Sequence, residues 1–189
     1  FIIFPGIVSI LLMMMRNLAS ISLVVLILFT SCSTVRQERN NAIPVVIDTV
    51  GGVQLFDLNL CYKDVDFSGI LLLDGGNEYG NRFVLTSHFG MTVFDIETEG
   101  NGYRVHYAIP AINHRKVLYL LWSDFSILMK PDYFKNIKYS FDEEGKLVSL
   151  TRSGSITKTE IYFKDFLSGY PQEIEINHPY LHLNITLNK

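Results

Sequence analysis

The chain has 189 residues, 48% of them hydrophobic, with 16 Lys and Arg against 19 Asp and Glu, for a formal net charge of −3. That length holds one domain with a sizeable core. The near-balanced charge, with no basic block, excludes binding to nucleic acid or to an anionic lipid surface by charge alone.

Residues Phe1 to Leu12 are apolar and precede Met13, Met14 and Met15. Because the chain starts on Phe, they are read as upstream sequence with initiation near Met15, and are set aside from fold reasoning. Arg16 is the only charge before residue 32, and Leu18 to Phe29 is an almost unbroken apolar run. Thr30, Ser31 and Cys32 follow, and then polar Ser33, Thr34, Arg36, Gln37 and Glu38. Charged, apolar and small-residue regions in that order make a secretory signal, and the run is shorter than the ~20 residues of a spanning helix. With a cysteine at the cut it resembles a lipobox, which implies cleavage between Ser31 and Cys32 and acylation of Cys32. None of Ser33, Thr34 and Val35 is acidic, which by the same resemblance implies the outer membrane, facing the periplasm.

Removing residues 1 to 31 leaves 158 of the 189, and the loss of Arg16 takes the net charge from −3 to −4. Cys61 is then without a disulfide partner and reads as a small strand residue. Residues 32–43 are polar and without periodicity, a flexible tether. Residues 44–189 are expected to form a single β-rich domain.

From Val45 onward the dominant period is two. Phe56, Leu58, Leu60 and Tyr62 alternate with polar neighbours, as do Tyr103, Val105 and Tyr107, then Ile137, Tyr139 and Phe141, and finally Leu181, Leu183, Ile185 and Leu187. Each pattern describes a strand with one apolar face, as in antiparallel sheets. Phe67 to Leu73, Arg82 to Thr86, Met91 to Glu97 and Lys158 to Phe163 are further strands. Asp74 to Asn77, Glu99 to Gly102 and Asp142 to Gly145 have turn chemistry, and His178-Pro179 marks a corner between the last two strands. These short intervals predict a meander of nine or ten strands. Asn113 is the expected cap of one helix running to Met129, with Leu118, Leu121, Trp122, Phe125 and Leu128 on its apolar stripe and Pro131 ending it. One helix covers only part of so large a sheet face. The remainder meets a second layer, closes into a barrel or lines a pocket, three solutions that the pattern leaves open.

Phe67-Ser-Gly-Ile-Leu-Leu-Leu, Arg82 to Glu97 with Phe89-Gly90-Met91 and Phe94-Asp95 inside it, and Tyr103-Arg-Val-His-Tyr carry a likeness over roughly residues 54 to 187. In this order of strands and motifs the chain resembles the LolB-like lipoproteins of the LolA/LolB lipoprotein-localisation fold. The resemblance implies a mainly β fold with one or two helices: an antiparallel half-barrel covered by an amphipathic helix, enclosing an apolar cavity for a lipid or a lipoprotein acyl chain. The positions expected to line it are Leu58, Leu60, Phe83, Leu85, Phe94, Val105, Tyr107, Leu121, Phe125, Leu183 and Ile185. Two family features are missing from the sequence pattern, namely an exposed hydrophobic loop for membrane insertion and further helices. Phe166, Leu167 and Tyr170, beside Ser168-Gly169, are the candidate loop for membrane or partner contact.

Catalytic chemistry finds no constellation. His88, His106, His114, His178 and His182 lack metal-ligand spacing and read as surface or pore-mouth residues. Asp95 reads as a hydrogen-bonding partner of a neighbouring strand, and Asp142, Glu143 and Glu144 as a solvated turn. No enzyme activity, metal or cofactor is expected, and the oligomeric state is open. The alternative to a lipid carrier is a structural or partner-binding envelope lipoprotein with a packed core and no cargo.

Overall fold

The computed structural model describes residues 46–47, 52–77, 80–154 and 157–189. The expected signal segment, Ser31, Cys32 and the tether lie outside them. The described residues all belong to one unit, Gln37–Lys189. Its ten strands are β1 Gln54–Tyr62, β2 Val65–Asn77, β3 Gly80–Ser87, β4 Thr92–Glu99, β5 Gly102–Ala108, β6 Ile137–Phe141, β7 Leu147–Ser153, β8 Lys158–Leu167, β9 Tyr170–His178 and β10 Leu183–Asn188. One helix, α1 (Arg115–Met129), and a 3-10 turn at Pro131–Tyr133 lie between β5 and β6.

All ten strands form a single sheet in the order β5-β4-β3-β2-β1-β10-β9-β8-β7-β6. It is two five-strand meanders joined where β1 pairs antiparallel with β10, Tyr62 opposite Leu183 and Asp57 opposite Asn188. The alternation read from sequence survives as burial. On β1, Phe56 and Leu58 are buried while Leu55, Asp57 and Asn59 are exposed, and β10 buries Leu183, Ile185 and Leu187. Each such side chain taken from water contributes about 1.5–3 kcal/mol.

Where the pattern fails, the backbone explains it. Asp74 to Asn77 is not a free turn but the irregular end of β2, with a register shift between Asp74 and Asn77. Asn113 does not cap α1. Its N–H donates to the Ile109 carbonyl, and the capping position falls at His114, which makes no side-chain cap bond. Leu181 lies outside β10, in the turn after His178.

Helix α1 fixes the shape of the sheet. Phe125 meets Phe83 on β3 and Phe94 on β4, with ring centroids 5.9 and 6.2 Å away. The neighbouring Asp124 reaches His178 at the end of β9 at 2.7 Å. In the strand order β3 and β9 are four ladder steps apart, about 19 Å in a flat sheet at ~4.8 Å per step. A helix of ~10–12 Å diameter touches both only if the sheet curves around it. Every residue from Leu121 to Leu128 is accordingly buried, so the second half of α1 has protein on all sides.

Candidate functional site

The inner face of the sheet is a packed core. Of the positions expected to line a cavity, Leu58, Phe83, Leu85, Phe94, Leu121, Phe125, Leu183 and Ile185 are all 7% exposed or less and belong to one continuous cluster, with Leu60 packed against it. Phe125 of α1 packs among them, on Phe83 and Phe94. Val105 and Tyr107 depart from the expectation altogether, at 39% and 49% exposed. Val105 opposes Ile96 on the inner face, but β5 is an edge strand, with no further strand beside it among the described residues. A register shift between Asp95 and Ile96 inserts His106 as an extra residue, so that Tyr107 pairs with Asp95 on the outer face.

Within this apolar core sits a buried polar cluster that sequence reasoning missed. His178, read as a surface histidine, is buried with Asp124. Its Nε2 lies 2.7 Å from Asp124 Oδ2, and its Nδ1 lies 3.4 Å from the Thr159 hydroxyl. With Nε2–H donating to the carboxylate, Nδ1 accepts from Thr159. Burial pushes the Asp124 carboxyl up from its ordinary value, while the His178 hydrogen bond pulls it down. Asp124 Oδ1 and Ser126 Oγ have no hydrogen-bond partner among the described residues. No cue linked two residues 54 positions apart, one hidden in the apolar stripe of a helix and the other beside a corner proline.

The second feature is at one end of the sheet. The β1–β2 and β3–β4 turns lie at the same end, because Tyr62 opposes Val65 and Gly69 opposes Ser87. The β9–β10 turn joins them, because Leu183 opposes both Tyr62 and His178. Three adjacent turns there expose Tyr62 and Val65, then Phe89 and Met91, then Tyr180. Phe89 is 93% exposed and Met91 68%, which supplies the exposed apolar loop that the sequence pattern lacked. The tip is held, since Ser87 N–H donates to the Met91 carbonyl at 2.8 Å and Gly90 N–H to the Ser87 carbonyl at 2.9 Å. The Ser87 hydroxyl also accepts from Met91 N–H at 3.1 Å. Gly90 adopts φ +80°, a conformation that glycine takes without steric cost.

The loop expected to make contact, Phe166 to Tyr170, lies at the opposite end. Leu167 is 64% exposed beside a two-residue turn in which Ser168 and Gly169 both have positive φ, the geometry of a tight hairpin. Phe166 differs from the expectation. Asp165 at φ +52° interrupts the alternation of β8, and Phe166 packs against the core.

The remaining polar groups are structural. Arg82 on β3 donates two hydrogen bonds to Asp95 on β4, at 2.8 and 2.6 Å, as the sequence reading of Asp95 expects. His106 pairs with Glu97 at 2.8 Å, and His88, His114 and His182 are exposed. Cys61 is exposed and lines a shallow outer-face groove of about 330 Å³ with Asn59, Asp66, Ser68, Asn184 and Thr186. A hydrogen bond with Asp66 raises its thiol pKa, opposite to the activation a nucleophilic thiol needs. No helix among the described residues is long and apolar enough to cross a membrane. No family model and no curated protein matches the chain.

Proposed function

We propose that this chain is a non-catalytic envelope lipoprotein, acylated at Cys32, whose LolA/LolB-type half-barrel meets a bilayer through the Phe89 end of the sheet. Phe89 carries the reading. A large apolar side chain held out in water by a hydrogen-bonded turn gains about 1.5–3 kcal/mol on entering an apolar phase. Tyr62 and Tyr180 beside it belong to a residue type enriched at the membrane–water boundary. The near-balanced charge makes this an apolar contact rather than an electrostatic one.

The experiment places an environment-sensitive fluorophore at either end of the full-length protein, with Cys61→Ser removing the free thiol. In phosphatidylethanolamine–phosphatidylglycerol vesicles, a label at Phe89→Cys is expected to shift its emission to the blue and to be quenched by brominated lipid. A label at Leu167→Cys is expected to do neither. Quenching at residue 167 alone, or at neither position, overturns the assignment.

A second reading, carriage of an acyl chain inside the half-barrel, draws support from α1 itself. Asp124 Oδ1 and Ser126 Oγ leave the helix incompletely satisfied in its groove, and buried polar groups without partners are costly. On that reading α1 is a plug that a lipid tail displaces.

A further inference from the structure

Beside α1, on the side away from His178, a cavity of about 210 Å³ opens between the β4–β5 turn, the segment after the helix and β7. Tyr119, Trp122 and Ser126 form its helical wall, spaced three and four apart so that they share one stripe. Tyr133 and Phe134 close the opposite side. Trp122 is held in place by donating from Nε1 to the Thr98 hydroxyl on β4 at 3.1 Å, and by rings on two sides, Tyr119 at 5.5 Å and Phe134 at 6.0 Å.

Polar and charged groups gather here, and Arg152 also acts electrostatically on the buried Asp124 carboxyl. Ser126 lines the cavity, and its hydroxyl is buried in the wall without a hydrogen-bond partner among the described residues. A helical serine normally bonds back to a carbonyl one turn earlier, and this one does not. Asn81 and Asn101 add side-chain amides, which both donate and accept. Among the described residues, the charged ones in the lining are Lys135 and Arg152. Neither forms an ion pair among the described residues. Arg152 is instead positioned by the Phe134 ring, 4.6 Å from its centroid.

We propose that this cavity is a binding site for a small anionic carbohydrate, a single hydroxylated ring carrying one carboxylate or phosphate. Its volume is below the ~300–1,000 Å³ of drug-sized sites, which limits the occupant to one ring. The exposed rings of Tyr119 and Tyr133 take the sugar ring's C–H faces, the amides take hydroxyls, and the two cations select the charge, with Arg152 suited to a bidentate contact. The site is separate from the apolar end of the sheet and does not depend on the bilayer reading.

Trp122 is the chain's single tryptophan, so its emission reports occupancy directly in the full-length protein. Titration with glucuronate and with glucose 6-phosphate is expected to give a saturable change for at least one, with Kd of about 0.1–1 mM. Whichever binds identifies the anionic group. Glucose is expected to bind at least about tenfold more weakly, and acetate, lacking the ring, to produce no saturable change. Arg152→Gln is expected to weaken binding about tenfold or more. Lys135→Gln, at an exposed position where folding is not at stake, is expected to weaken it severalfold. No saturable change with either anion up to about 20 mM, equal binding of glucose, or an unaltered Kd in Lys135→Gln together with a folded Arg152→Gln overturns the proposal.

Discussion

Asp124 and His178 meet where the helix crosses the end of β9, and their energetics follow from burial. Asp124, taken out of water, has His178 as its hydrogen-bond partner among the described residues, so removing the imidazole leaves the carboxyl uncompensated. His178→Ala is expected to destabilise the fold by about 3–5 kcal/mol, whereas the double replacement Asp124→Leu, His178→Leu is expected to be neutral or stabilising by up to about 4 kcal/mol, both read by urea denaturation. The pH dependence has a definite sign. A carboxyl raised above its ordinary value of 3.8 binds its proton more tightly in the folded state. Its contribution is therefore full below 3.8 and lost as pH rises through the folded-state value. Urea midpoints measured as a pH series should show that decline in the wild type and a flatter profile in the double variant. A single-residue change with no effect at His178 would mean that the carboxylate is satisfied elsewhere.

At the scale of elements, the hydrophobic beat made most strands legible, and its interruptions left two of them, β7 and β9, without bounds. On β7 the buried residues are Leu147 and Leu150, three apart, because a register shift against β6 inserts Val148. Period-two reading fails at such a bulge. On β9 the regular beat of Ile174, Ile176 and His178 begins only after Pro171, a residue that argues against a strand, although Pro171 pairs with Phe166 on β8. Gly69 was visible in the Phe67-Ser-Gly motif, but its reason was not. A Cβ there would lie 2.3 Å from the Thr86 carbonyl oxygen and 3.1 Å from the Phe67 ring, so the strand interior needs glycine for close backbone approach. Gly69→Ala is expected to cost about 1–3 kcal/mol. Gly102→Ala, whose nearest contact would be 3.9 Å, is expected to stay within about 0.5 kcal/mol of the parent. Thermal melting of the two variants side by side checks the contrast. The Phe89-Gly90-Met91 motif was equally visible as a string of residues. Its exposure was not, because alternation describes faces of strands and says nothing of how far a turn projects.

For the whole molecule the question is whether a lipid tail can take the place of α1. Six apolar side chains of the helix, Leu118, Leu121, Trp122, Phe125, Ile127 and Leu128, are buried, worth about 12 kcal/mol at ~2 kcal/mol each. A sixteen-carbon chain offers about fourteen methylenes at ~0.8 kcal/mol, or roughly 11 kcal/mol. The apolar terms nearly cancel, and the polar term decides. Withdrawing α1 leaves His178 facing hydrocarbon without its carboxylate, and an unsatisfied buried group costs about 1–3 kcal/mol. The closed core is thus favoured, and brominated palmitate added to the full-length protein is expected to leave Trp122 emission unquenched. The same titration on Phe125→Ala, which removes about 3–5 kcal/mol of packing between α1 and the sheet, is expected to permit partial quenching. Strong quenching in the wild type would instead establish α1 as a displaceable plug and the sheet as a carrier.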